Sequence, residues 1–174
     1  FVQDFLVQNK IIHYAEFLSG LRGLPELVDL QIQSCDEFVK RLFNDGKANS
    51  ILRIGGIPTL RFWRDLESQF KNVAVYSFSD LSFSGLSRKS QLYPMSELSK
   101  VNVQDCVPKL ILNSDRELQA LKHQLLKKFE NSEQMGIHQL SQVTGNKPLY
   151  IGNSLPIRLW DLCSDQVQNS QSIC

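Results

Sequence analysis

Hydrophobic residues follow two rhythms along the chain. Between 115 and 134, DRELQALKHQLLKKFENSEQ, Leu118, Leu121, Leu125 and Phe129 recur at three- and four-residue spacing. They predict the strongest helix of the chain, with those four residues as its apolar face. Phe38, Val39, Leu42 and Phe43 predict a second helix over 35–45, with Ser34 or Asp36 as cap and Gly46 as stop. FVQDFLVQNK at 1–10 reads as the back half of an amphipathic helix bearing Phe1, Phe5 and Leu6, and MGIHQLSQV at 135–143 as a short helix. Apolar runs of strand length stand at SILRI (50–54), NVAVYSF (72–78) and PLYIGN (148–153). KIIHYAEFL (10–18) joins them as a buried strand, from its β-branched and aromatic content. VPKLILN (107–113) fits either a short strand or the start of a helix.

Strands alternate with helices, and glycine-bearing turns follow the strands. That order predicts an α/β fold with a mostly parallel, Rossmann-like sheet flanked by helices. SGLRGLPE (19–26) and TGNKP (144–148) punctuate it as loop and turn. SDLSFSGLSRKS (79–90) is a serine-rich loop that carries Leu81, Phe83 and Leu86, so it is expected to pack on something. The polar tail CSDQVQNSQSIC is expected to fray.

Composition narrows the function classes. With 174 residues, 42% hydrophobic and 21% charged, the chain has material for a real core. A net charge of +1 provides no global field for nucleic acid, and no apolar run approaches a membrane span. Residues 1–8 lack the basic start and small-residue cleavage site of a secretion signal. Cys35, Cys106, Cys163 and Cys174 form no CxxC pair, so zinc and a disulfide framework are not expected. Four free thiols and a cytoplasmic location are. The helix-like start without an initiator methionine suggests a piece of something longer.

Two corners carry the candidate chemistry. In IGGIPTLRFW, Gly55 and Gly56 permit close backbone approach, Thr59 is the expected cap of a helix over 60–70, and Arg61 adds a guanidinium in its first turn. That set suits a carboxylate or phosphate. It equally suits a plain strand-to-helix turn with a solvated arginine, and it matches neither GxGxxG nor a Walker loop. In YIGNSLPIR, Ser154 and Arg158 stand four apart, so on a helix they share a face. A hydroxyl beside a guanidinium again suits a carboxylate, although Ser154 as a simple cap explains the residues as well. His13 reads as a packed core residue and His123 as a helix-surface one. No GxSxG elbow is present. Trp63 and Trp160 are expected to pack their helices.

ILRIGGIPTLRFWRDLE (51–67) resembles the central-domain signature of the thiamine-diphosphate-dependent 2-succinyl-5-enolpyruvyl-6-hydroxy-3-cyclohexene-1-carboxylate synthases of menaquinone and phylloquinone biosynthesis. YIGNSLPIRLWDL resembles the start of their diphosphate-binding domain, and YAEFLSGLRG and FSDLSFSGLSR resemble further segments. The resemblance implies an incomplete central domain over 1–146 and the opening strand, loop and helix of the next domain over 147–174. It implies that the full-length protein is a transferase: a carboligase that decarboxylates 2-oxoglutarate on thiamine diphosphate with Mg2+ and adds the succinyl semialdehyde unit to isochorismate. Arg61, Ser154 and Arg158 would then contact the small carboxylate substrates, and Asn153 would lie by the cofactor. No catalytic residue and no metal ligand fall in this stretch, and Phe62 stands where some members carry a second basic residue. The remaining partners implied are the rest of the synthase chain and, for the full-length protein, further copies in a homo-oligomer. On these terms the fragment alone is inactive and does not bind the cofactor. The alternative is a free-standing Rossmann-like module that binds a nucleotide or aromatic acid in a regulatory role, or a scaffold.

Overall fold

A computed structural model describes residues 1–103, 108–144, 147–152, 154–165 and 172–173. In chain order its elements are α1 (Val2–Gln8), α2 (Asp36–Asn44), β1 (Ser50–Ile54), α3 (Arg61–Asp65), β2 (Ala74–Phe78), β3 (Gln91–Tyr93), α4 (Pro108–Lys128), α5 (Glu133–Thr144), β4 (Leu149–Tyr150), α6 (Leu155–Cys163) and β5 (Ser172–Ile173). Short 3-10 turns stand at Phe17–Ser19, Val28–Leu30 and Met95–Lys100. The fold is α/β, as the alternation predicts. The chain divides into two compact units, Phe1–Cys35 with Asp105–Cys174, and Asp36–Gln104.

The second of these units is built on a three-stranded parallel sheet in the order β1-β2-β3. β1 and β2 run in register from Ser50 beside Ala74 to Ile54 beside Phe78. Parallel neighbours need a crossover connection, and the stretch with α3 supplies it. α2 presents Val39 and Phe43 to a core of Phe62, Trp63, Leu66 and Val75, so one face of the sheet is covered by both helices. Phe62 stacks on Phe43 with centroids 5.2 Å apart and meets Phe70 edge-on at 5.4 Å. Each such aromatic pair contributes roughly 0.5–1.5 kcal/mol beyond its burial. Gly46, at φ 66, stops α2 in the left-handed conformation that few other residues accept. The serine-rich loop does pack, through Leu86 against the same core and Gly85 against Ile57, while Leu81 and Phe83 stay exposed.

The other unit is mostly helical, with a two-residue parallel pair of β4 and β5. Its core holds Phe17, Ile151, Ile157 and Trp160, with Ile137 and Leu149 packed against them. Residues 10–18 correct one expectation: they form no strand. His13 makes a single bridge to Gln31, and Phe17–Ser19 is a 3-10 turn. Lys10, at φ 49, breaks any extended run at its start.

A second correction concerns α4, which is one helix from 108 and so takes in the ambiguous 107–113 segment from Pro108 on. Its expected apolar face is not its buried face. Leu121, Leu125 and Phe129 are each about half exposed, whereas Leu112, Asp115 and Leu126 are buried. Polar groups set this rotation. Asp115 accepts from the backbone N–H groups of Gln33 and Ser34 and from the Ser34 hydroxyl. Lys122, two helical turns further on the same side, donates to the carbonyls of Gln33, Ser34 and Leu162 at 3.2, 2.9 and 3.0 Å. Bonds to charged groups contribute about 1.5–3 kcal/mol each, enough to outweigh the partial exposure of three apolar side chains. Burial, with Arg22 nearby, pulls the Lys122 ammonium below its ordinary pKa. The Ser34 hydroxyl donates its hydrogen to Asp115.

Candidate functional site

The glycine corner begins where β1 ends. Gly55 takes φ 88, and its N–H donates to the Phe78 carbonyl at 2.8 Å, extending the sheet ladder by one bond. No atom occupies the space a side chain would fill at Gly55 or Gly56, so the backbone is open to approach there. The helix that follows is shorter than expected and starts differently. α3 has five residues, and its N-cap is Leu60, with no side-chain cap bond, not Thr59. Leu60 sits against the Phe62 core. Hydrophobic anchoring decides where this helix begins. So short a helix has little dipole, and the backbone part of the anion-binding idea falls away. What remains is Arg61, exposed at the first helical position and without an ion pair among the described residues. Phe62 is 3% exposed, so the second basic position of the resemblance is here a core residue.

The second corner lies in the other unit. Ile151 is buried, Gly152 is exposed, and Ser154 is the N-cap of α6 with φ 77 and ψ −118. That backbone is strained for any residue with a side chain, at a cost of about 1–3 kcal/mol. Ser154 does not bond to the helix N-terminus through its side chain. Pro156 fits in the first turn, where its missing N–H is not needed. Arg158 lies on the exposed side of α6, again without an ion pair among the described residues. Ser154 and Arg158 are therefore both exposed at the same end of one helix. Asn153, the cofactor candidate, lies outside the described residues.

The inward side of α6 carries groups that motif reading missed. Asp161 is 7% exposed; it accepts from the Phe17 N–H at 2.6 Å and from Arg22 Nη1 at 2.9 Å. Arg22 Nη2 also donates to the Asp161 carbonyl at 2.9 Å. Burial pushes the Asp161 carboxyl up to about 6, against the pull of Arg22 and the Phe17 N–H. This pair ties the 149–163 segment to the loop at 17–22. The shallow crevice beside it, lined by Tyr14, Arg22, Gln31, Ser34 and Asp161 among others, has no room for a ligand and includes none of Arg61, Ser154 and Arg158. The signal available in sequence was spacing: Asp115 and Lys122 are seven apart, and an acid sits inside the apolar LWDL run.

The histidines divide. His13 is half-buried, with its pKa lowered by burial, in keeping with a packed residue. His123 is not simply a surface group: its ring lies 5.6 Å from that of His138, which reaches the Cys163 carbonyl. Trp63 and Trp160 both pack in cores, as expected. Cys35 and Cys163 are free thiols; Cys106 and Cys174 lie outside the described residues. Among the described residues no group of three or more His, Cys, Asp or Glu side chains could hold a metal. No helix among the described residues is long and apolar enough to cross a membrane.

Comparison with known proteins adds the missing context. The chain is 42% identical over 176 aligned residues, 94% of its own length, to the 2-succinyl-5-enolpyruvyl-6-hydroxy-3-cyclohexene-1-carboxylate synthase of Bdellovibrio bacteriovorus, of which it covers 32%. It is 31% identical over 157 residues to the protein of the same name from Akkermansia muciniphila, covering 84% of this chain and 27% of that one. No protein-family profile matches the chain. No solved structure matches it. Aligned over nearly its whole length, yet spanning only about a third of these relatives, the chain belongs to the 2-succinyl-5-enolpyruvyl-6-hydroxy-3-cyclohexene-1-carboxylate synthase family.

Proposed function

We propose that this chain is part of a thiamine-diphosphate-dependent synthase of menaquinone or phylloquinone biosynthesis. Its contribution is to present positive charge to carboxylates. The whole protein decarboxylates 2-oxoglutarate and adds the succinyl semialdehyde unit to isochorismate, with thiamine diphosphate and Mg2+ held elsewhere in the full-length chain, as a cytoplasmic homo-oligomer. In this reading residues 1–146 belong to the central domain and 147–174 open the diphosphate-binding domain. Arg61 and Arg158 each offer a fork to a carboxylate oxygen pair, Ser154 adds a hydroxyl, and Asn153 lies near the cofactor.

The observation that carries this is the 42% identity over 94% of the chain, in a protein whose Arg61 and Arg158 are exposed at two corners and unpaired among the described residues. The strained backbone at Ser154 supports it, because strain of this kind persists where a side chain must be aimed. The test is steady-state kinetics of the full-length synthase carrying Arg158→Lys or Arg61→Ala. Lysine keeps the charge but loses the planar fork. We expect kcat/KM for the carboxylate substrates to fall about 100-fold, near the 2–3 kcal/mol of a charged hydrogen-bond pair. Unchanged kinetics in both variants would remove these arginines from the substrate site.

A further inference from the structure

β1 carries a buried arginine that neither corner uses. Ile51, on the same side of the strand, packs in the Phe62–Trp63 core. Arg53, two residues on, is 3% exposed. Its Nε donates across the ladder to Ser77 Oγ at 3.1 Å, and the two residues are register partners. Its guanidinium lies over the Trp63 ring, 5.8 Å from the centroid. These contacts hold the head group in one orientation, but they engage only one of its five N–H donors. Nη1 and Nη2 are buried without an acceptor, and so is Trp63 Nε1.

At Arg53 and Trp63 the surplus is of donors; the one buried acceptor of this unit that also lacks a hydrogen bond among the described residues, Asp65 Oδ2, sits against the Lys40 ammonium. A guanidinium does not discharge in a protein, although burial pulls the pKa of Arg53 below its ordinary value. An unpaired buried charge is among the least favourable placements a side chain can have. The buried acid of this unit does not relieve it, because Asp65 is engaged by Lys40 at 2.7 Å. Glu67 is engaged by the backbone N–H and hydroxyl of Ser87. Two Nη groups side by side match the two oxygens of a carboxylate.

We propose that Arg53 is a carboxylate-binding residue, its head group oriented by Ser77 and floored by Trp63, whose acceptor is not supplied by the described residues of this unit. The carboxylate has two sources: a free organic acid, or an Asp or Glu side chain from the rest of a full-length synthase. The first source is independent of the proposed function, and the second rests on it.

Thermal melting separates them. The first arm takes the 174-residue chain with succinate, against chloride at equal ionic strength. A free-acid site raises the wild-type Tm with succinate; Arg53→Met abolishes the shift and Arg53→Lys loses most of it. In either case the ligand-free Arg53→Met chain melts at or above wild type, since an unpaired charge has been removed. The second arm takes the full-length synthase. A side-chain partner leaves the short chain indifferent to succinate, while Arg53→Met lowers the full-length Tm by about 4 °C or more. The proposal is overturned if Arg53→Met destabilises the short chain that shows no succinate response. It is equally overturned if the succinate shift survives in Arg53→Met, or if neither succinate nor the full-length Tm responds. Neither arm reads turnover, so failure here leaves the reading of Arg61 and Arg158 standing.

Discussion

Asp161 shows how one residue couples fold to solution conditions. Its carboxyl titrates near 6 in the folded chain against an ordinary value of 3.8, chiefly because burial disfavours the anion. The folded state therefore binds more protons than the unfolded state between those values. The stability this group contributes is full below 3.8 and is lost as pH rises through about 6. The span is on the order of 3 kcal/mol. Asp161→Asn keeps an acceptor for the Phe17 N–H but cannot titrate. We expect the difference between the wild-type and Asn unfolding free energies to slope between pH 4 and 6 and to be flat above about 7. Urea unfolding at a series of pH values checks this. An unsloped difference would mean that Arg22 holds the carboxylate charged throughout.

At the scale of elements, the glycine corner depends on a second glycine outside the motif. Gly85 takes φ 77, and a side chain there would come within 2.7 Å of Ile57, inside the GGIP turn. The serine-rich loop thus closes on the corner that positions Arg61. Gly85→Ala combines a left-handed backbone with overpacking, and we expect it to lower stability by about 2–3 kcal/mol. Gly56→Ala, with open space and no left-handed backbone, serves as the control and should change stability by less than about 1 kcal/mol. Denaturant midpoints for the two variants check the contrast. The strands SILRI and NVAVYSF were legible because a short apolar run between turn residues has few other uses. α3 was legible only in place: the threonine cap rule pointed to Thr59, and the pull of Leu60 into the core outweighed it. The strand expected at 10–18 failed for a similar reason, since β propensity needs a partner strand and only His13 finds one.

For the whole molecule, size governs the chemistry. The chain is a third or less of its relatives' length, and the described residues include no metal-holding group. In the reading proposed above, cofactor activation and magnesium binding fall to the rest of a full-length synthase. We expect the purified 174-residue chain to form no product from isochorismate and 2-oxoglutarate, and a product assay that detects turnover would refute the division of labour proposed above.

The sequence by itself determined the α/β class, the parallel strands, the two glycine corners and the family, because periodicity, turn residues and a motif such as GNSLPIR are local properties of the chain. Only the tertiary structure decided which face of α4 turns inward, that Phe62 is core, and that Arg53 and Asp161 are buried while Arg61 and Arg158 are not. Helical spacing offers α4 more than one inward face. The choice falls to the buried polar groups, Asp115 and Lys122, whose partners lie far away along the chain. Those pairings exist only once the backbone has brought residues 33, 34 and 162 together, and no local pattern encodes that distance.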